Sequence, residues 1–108
     1  MLMSKFMRIL LFFDLPVVSK RERKAYAKFR RFLLNDGYVM LQYSVYYRIC
    51  NGDEAVQKHM KRLRQHIPPV NGAIRTLKVT EKQFEKMDIL LGAASPNEDI
   101  DSKITDFF

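Results

Sequence analysis

The segment that most limits the fold is "ILLFFDLP", residues 9–16, near the start of the sequence. Its five consecutive apolar residues predict a β-strand covered on both faces, since a strand with one wet face alternates with polar residues. We place this strand at Met7–Phe13, and Pro16 ends it because proline has no backbone donor. The run is too short to span a bilayer and lacks a cleavage pattern, so we expect no membrane segment and no signal peptide.

A capping box predicts the first helix over Ser19–Asn35. The hydroxyl of Ser19 can accept one backbone amide, and Glu22 can reach back to the amide of the cap residue. Gly37 follows the helix and suits a left-handed C-terminal cap. Apolar residues recur at helical spacing and form one buried stripe: Ala25, Phe29, Phe32 and Leu33.

Tyr38–Cys50 is rich in tyrosine and β-branched residues. Thirteen residues are long for one strand, which usually has about 5 to 6. Either one strand bends or two strands meet near residues 42–44, and no Asn-Gly turn decides between them.

The second half predicts another helix and two more strands. Asn51 can cap a helix over Asn51–His66, and the prolines that follow stop it. The helix carries its own apolar stripe at Val56, Met60, Leu63 and Ile67. The remaining elements are a strand at Ala73–Val79, a helical turn that begins with "TEKQ" at 80–83, and a short strand at Met87–Leu91.

This order of elements predicts an α+β fold, with helices on one face of an antiparallel sheet. A ferredoxin-like βαββαβ arrangement with an extra C-terminal strand fits it best. We expect one domain over residues 1–91, of which 1–6 form a loose leader, and an acidic tail at 92–108. The tail is either a frayed terminus or a partner-binding segment, because acidic residues alternate there with apolar ones: Ile100, Ile104, Phe107 and Phe108.

The single cysteine, Cys50, excludes an intrachain disulfide and is compatible with a reducing cytoplasm. His59 and His66 have no cysteine or carboxylate arranged beside them in the sequence. We therefore predict that both are surface histidines and not metal ligands.

The formal net charge of +7 favours a polyanionic partner, first of all nucleic acid. The first helix concentrates this charge, and only Glu22 opposes it. A run of cations on a helix commonly forms a face that simply contacts solvent. A face that carries almost only positive charges, however, favours contacts with phosphates. The candidate residues are Lys20, Arg21, Arg23, Lys24, Lys28, Arg30 and Arg31.

Asp14 stands where the first strand ends, and two interpretations remain open. Its carboxylate could cap the turn that follows, or it could bind a metal ion for phosphodiester hydrolysis. One carboxylate is few ligands for a metal ion, so the second interpretation needs either another Asp14 from a twofold-related chain or a coordination shell filled by water.

Three segments, "ILLFFDLP", "SKRERKAYAKFRRFLL" and "NDGYVMLQYSVYYRI", in this order resemble a known family. It is CRISPR-associated protein two, the small protein of the CRISPR spacer-acquisition complex, in the versions that accompany type II systems. The resemblance covers Met7 to about Leu91. Its most specific parts are Asp14, Gly37 and "QYSVY" at 42–46, and it departs at Met40, where many relatives carry arginine.

The resemblance implies a ferredoxin-like homodimer whose last strand crosses to the partner's sheet. It implies that the dimer holds double-stranded prespacer DNA beside the CRISPR integrase, with basic positions at Arg21 and Arg23. It also implies a metal-dependent endonuclease that acts on RNA or duplex DNA, with Mg²⁺ or Mn²⁺ at Asp14 of both protomers.

We therefore expect a dimeric DNA scaffold for spacer integration, with a metal-dependent nuclease activity at the paired Asp14. One alternative makes the nuclease the main role. The other is a ferredoxin-like RNA-binding regulator, in which Tyr38 and Tyr46 would be exposed and stack on single-stranded bases.

Overall fold

The computed structural model describes residues 6–92. The predicted tail lies outside these residues, as does the predicted leader apart from Phe6, which already belongs to the first strand. Seven elements follow one another: β1 (Phe6–Asp14), α1 (Lys20–Asn35), β2 (Val39–Gln42), β3 (Val45–Asn51), α2 (Asp53–Arg64), β4 (Ala73–Thr80) and α3 (Glu81–Glu85).

The four strands form one antiparallel sheet in the order β2-β3-β1-β4. β1 lies in the centre, where Phe12 pairs with Val45 of β3 and with Arg75 of β4. The helix α1 connects β1 to β2, and β3 lies between these two strands in the sheet. The helix α2 connects β3 to β4. The α+β, ferredoxin-like prediction is confirmed.

Alternate residues of β1 face opposite sides of the sheet. Ile9, Leu11 and Phe13 face α1 and α2, where they join the main core with Phe29 and Leu33. We call this side the helix face. The residues between them, among them Leu10 and Phe12, point to the other side, which we call the open face. There Leu10 packs with Tyr47 and with Phe84 of α3.

The first helix begins and ends as predicted. The Ser19 hydroxyl accepts the amide of Glu22, and the Glu22 carboxylate accepts the amide of Ser19 at 2.8 Å. At the other end Gly37 has a φ of +92°. That left-handed conformation lets the amide of Tyr38 donate to the carbonyl of Leu33 at 2.9 Å, which satisfies the last turn.

The β-rich segment after α1 forms two strands, which decides the question that the sequence left open. The turn between β2 and β3 lies at Tyr43–Ser44, and Ser44 has a φ of +65°. A serine in the left-handed region is uncommon. The hairpin therefore lacks the glycine or asparagine that usually marks such a turn in a sequence.

Asn51 does not cap the second helix, contrary to the prediction. It is the last residue of β3 and pairs with Phe6. The cap position belongs to Gly52, which has a φ of +90° and offers no side chain. The helix also ends at Arg64, so that Ile67 does not join its apolar stripe and is 51% exposed.

The short final strand predicted at Met87–Leu91 is absent, since residues 86–92 form no strand. The capping box at Thr80–Gln83 is present, and it starts α3 directly after β4. α3 lies over the open face, where Phe84 packs on Tyr47. Among residues 6–92, no helix combines the length and the apolar character needed to cross a membrane.

Candidate functional site

Asp14 is the last residue of β1 and lies opposite Ala73 of β4. Strand alternation places its exposed side chain on the open face, like that of Phe12. A Cβ at Gly72 would come within 2.6 Å of the Asp14 carbonyl oxygen. Only glycine allows this approach, so the end of β1 is held tightly against the start of β4.

The hairpin turn reaches the same end of the sheet. The amide of Phe13 donates to the carbonyl of Ser44 at 3.1 Å, next to Asp14. Tyr43 is 78% exposed at this turn. Arg75 also belongs to this region, since it pairs with Phe12 and shares the open face with Asp14. Arg75 therefore lies on the same face as Asp14, whereas the hydroxyl of Tyr43 interacts with that of Tyr26, a residue of the helix face.

One chain does not supply a metal site around Asp14. Within residues 6–92, no group of three or more His, Cys, Asp or Glu side chains comes together. Mg²⁺ usually keeps several water ligands and is held by one or two carboxylates. The metal interpretation therefore needs either a second carboxylate from another copy or coordination of Asp14 mostly by water.

The basic side chains of α1 are exposed, and none of them forms an ion pair within the described residues. The only acid in the helix is occupied by its own cap, because Glu22 accepts the amides of Ser19 and Val18. These hydrogen bonds lower the pKa of Glu22. Four cations spaced three or four residues apart form what we call the basic row: Lys20, Lys24, Lys28 and Arg31.

Three other arginines of α1 have structural contacts that the sequence did not indicate. Arg21 donates to the carbonyl of Pro69 at 2.9 Å, and Arg23 donates to the carbonyl of Val18 at 2.6 Å. Arg30 donates to the hydroxyl of Tyr46 at 3.1 Å. A guanidinium has five N–H donors, so each of these exposed arginines keeps donors for an external anion.

His59 is buried, with 3% of its surface exposed, and the prediction of a surface histidine is wrong for it. Its Nδ1 lies 2.8 Å from the Asp36 carboxylate, and Arg62 donates to the other oxygen of that carboxylate at 2.8 Å. Burial alone favours the neutral acid, but the bonds from His59 and Arg62 outweigh it and lower the pKa of Asp36. This cluster fastens α2 to the end of α1.

A second buried charge lies under the open face. Arg8 forms two hydrogen bonds to Glu81, at 2.7 and 3.0 Å, and its guanidinium lies 3.7 Å from the centre of the Phe84 ring. This bidentate pair links β1 to α3. The sequence showed Arg8 only as an interruption in an apolar strand, because its partner lies 73 positions away.

Tyr38 and Tyr46 are both buried, so they cannot stack on bases as the RNA-regulator hypothesis requires. Burial raises the pKa of the Tyr38 hydroxyl, and the nearby Asp36 adds to this effect. The four apolar candidates in the tail, Ile100, Ile104, Phe107 and Phe108, lie outside the described residues.

The fold and the site define a small ferredoxin-like protein with a basic helix and an acidic group at the end of its central strand. The family model for CRISPR associated protein Cas2 matches residues 7–87. The chain therefore belongs to the Cas2 family, as the resemblance indicated.

Curated relatives carry the name CRISPR-associated endoribonuclease Cas2. The protein of Acidovorax ebreus is 63% identical over 86 residues, which cover 80% of this chain and 83% of the relative. The protein of Campylobacter jejuni is 46% identical over 103 residues, which cover 95% of this chain and 71% of the relative. The protein of Flavobacterium psychrophilum is 39% identical over 100 residues, which cover 93% of this chain and 86% of the relative.

Proposed function

We propose that this chain acts as a homodimeric scaffold that binds the backbone of double-stranded DNA during CRISPR spacer acquisition. The observation that carries the proposal is the set of exposed α1 cations, none of which is ion-paired within residues 6–92. DNA presents about one negative charge per 1.7 Å of its axis, and cations that contact phosphates give affinity without reading the sequence.

The open face supports the homodimer. Phe12 is 39% exposed and Leu77 is 54% exposed on this face, although both are large apolar residues. A domain of this size gains from burying such surface in a symmetric contact. If the twofold axis of such a contact passes near the ends of the two β1 strands, the two Asp14 carboxylates lie close together.

Duplex binding is tested with Lys24→Gln combined with Lys28→Gln. These two side chains make no hydrogen bond or ion pair in the described structure, so their loss should leave the fold unchanged. The slope of log K against log salt should become shallower by about 2 for every duplex sequence. The matched control neutralises Lys82 and Lys86, which lie in α3 and just after it. An equal effect in the control, or a preference for single strands, would contradict the scaffold.

The partner protein in this proposal is the CRISPR integrase subunit, bound through the apolar residues of the acidic tail. The segment 98–108 carries Ile100, Ile104, Phe107 and Phe108 among its acids. Deletion of this segment should abolish association with the integrase in a pull-down while the dimer persists. If association is unchanged, the tail is not the contact.

The second candidate function is a metal-dependent endonuclease, and the name endoribonuclease that the relatives carry favours the nuclease activity. Its centre would be Mg²⁺ or Mn²⁺ between the Asp14 carboxylates of two protomers. When bound, the ion would supply Lewis acidity at a phosphate. The chain itself contributes the fixed position of Asp14, which the close approach of Gly72 maintains.

Asp14→Asn separates the two functions, because it removes the charge and keeps the shape. If the nuclease is the main role, the variant should lose hydrolysis of single-stranded RNA or duplex DNA in Mg²⁺ or Mn²⁺, and cells that carry it should lose spacer acquisition. If the chain is a scaffold, acquisition and duplex binding should persist. Thermal unfolding and sedimentation of the variant exclude a loss of fold or dimer as the cause.

A further inference from the structure

A groove runs between α1 and the segment that follows α2, and neither proposed function uses it. It has a volume of about 420 Å³, within the range of about 300 to 1,000 Å³ that is usual for binding sites. Phe32, Ile67 and Pro68 line its apolar floor. Ile67 is one of the exposed large apolar residues, so half of its surface lacks a covering partner.

One wall of the groove is held in place by two contacts of His66. The imidazole stacks on the ring of Phe32 at a centroid distance of 3.9 Å and an angle of 10°. Its Nδ1 lies 2.8 Å from the carbonyl oxygen of Arg62, which requires that Nδ1 carries the proton and donates it. These two contacts fix the orientation of the aromatic wall.

The rim of the groove is positively charged. Lys28 and Arg31 of the basic row border it, and neither forms an ion pair within residues 6–92. The amides of Asn35 and Gln65 complete the polar border. An apolar floor with a cationic rim fits a segment in which apolar side chains alternate with carboxylates.

This chain contains such a segment at 98–108, "EDIDSKITDFF". Its four acids outnumber its single lysine, and isoleucine and phenylalanine stand between them. Residues 93–108 extend up to about 50 Å at roughly 3.3 Å per residue. This length is comparable with the longest dimension of the molecule, which is 47 Å, so the end of the segment, with Phe107 and Phe108, is long enough to extend to the groove.

We propose that residues 98–108 dock in this groove of their own chain. Phe107 and Phe108 pack against Phe32 and Ile67, and the carboxylates pair with Lys28 and Arg31. The docked segment covers part of the basic row. If the row also binds DNA and the tail also binds the integrase, as proposed above, the docked segment excludes both contacts until it is released, but docking itself depends on neither function.

The test is paramagnetic relaxation in the full-length protein without DNA. A nitroxide is attached to Ser102→Cys; Cys50 is fully buried, and the unsubstituted chain treated in the same way serves as the labelling control. Docking broadens the amide signals of Lys28, Arg31 and Ile67, whereas those of Lys78 on β4 stay sharp. The broadening is lost in Phe107→Ser/Phe108→Ser.

A charge exchange makes the test specific. Lys28→Glu/Arg31→Glu should abolish the broadening, and adding Asp99→Lys/Asp101→Lys should restore it. Broadening that is absent, uniform or centred elsewhere overturns the proposal. Labelled chains mixed with unlabelled, isotope-enriched chains distinguish a second copy, because broadening of the enriched chain shows that another molecule's segment occupies the groove and overturns docking within one chain.

Discussion

The two faces of the sheet share the strand β1 but differ in how they are covered. On the helix face, Leu11 and Phe13 are sealed by α1 and α2 in a continuous aromatic and aliphatic core. On the open face, Leu10 is covered by α3, while Phe12 and Leu77 remain exposed to solvent. The alternation of side chains along β1 thus gives the strand two roles. Its side chains on the helix face stabilise the core, and those on the open face can contact another molecule.

Each face also has a buried ion-pair cluster, and the two clusters stabilise different parts of the molecule. On the helix side, Asp36 ties two helices together through His59 and Arg62. On the open side, Arg8 pairs with Glu81 and holds the only helix that covers this face within the described residues. Loss of the first cluster loosens the main core, whereas loss of the second uncovers part of a surface that is already exposed.

Among the proposed variants, Phe29→Ala should cause the largest loss of stability, because it removes a side chain from the core of the helix face. The Phe29 ring is buried and lies 5.6 Å from the ring of Phe13. Its removal should lower the free energy of unfolding by about 4 kcal/mol. Urea unfolding followed by circular dichroism measures this loss. The control Leu77→Ala on the open face should cost under about 1 kcal/mol, and equal losses at both positions would show that the faces do not differ.

Asp36→Asn should have the next largest effect, a loss of about 2 kcal/mol at pH 7, because the neutral amide has one acceptor oxygen where the carboxylate uses two, one with His59 and one with Arg62. The folded state lowers the pKa of Asp36. Its contribution is therefore present above the unfolded pKa of about 3.9 and is lost as the pH falls through the lower folded value.

Urea unfolding of this variant at a series of pH values between neutral and acidic checks the sign. The difference between wild type and Asp36→Asn should shrink as the pH falls. Asp53→Asn is the matched control, since Asp53 is exposed and its contact with Lys78 is 3.5 Å long. A difference that does not change with pH would exclude the carboxylate as its source.

Arg8→Lys tests the open side and should cost about 1.5 kcal/mol. Lysine keeps the charge but loses the bidentate contact with Glu81 and the flat stacking on Phe84. Thermal unfolding measures the loss, and Arg75→Lys on the same face should be close to neutral. If Arg8→Lys lowers the stability more than Asp36→Asn does, the open side contributes more to stability than we predict.

Leu77→Asp should have the smallest effect on the stability of the single chain, within about 0.5 kcal/mol. Its effect on assembly should be large, because a charge on the open face opposes a symmetric apolar contact. Sedimentation at several protein concentrations measures this. A variant that sediments like the wild type would place the contact between copies elsewhere.

The local signals in the sequence predicted most of the fold. Capping boxes at Ser19 and Thr80 are both present, because they depend on residues three positions apart. The sequence left the hairpin open because the left-handed turn residue is Ser44, which is not a typical signal, and the predicted cap at Asn51 was wrong because the strand extends through it. These outcomes depend on strand pairing, which the sequence does not display locally.

The site was predictable only in part for the same reason. The position of Asp14 at a strand end followed from the sequence, whereas the approach of Gly72 to it follows from the pairing of β1 with β4. The burial of His59 depends on Asp36, which is 23 positions away. The basic helix could be predicted from the sequence, but the structural contacts of Arg21, Arg23 and Arg30 could not.

The central strand has a consequence for how the chain is made. β1 is synthesised first, but one of its neighbours is β4, with Met7 paired to Thr80. A nascent chain on the ribosome therefore carries an apolar strand with an unfilled edge until almost all of the domain has emerged. Such non-local pairing slows folding and exposes a strand that can pair with other chains. During this interval, the edge of β1 that later pairs with β4 can contact other chains or a chaperone.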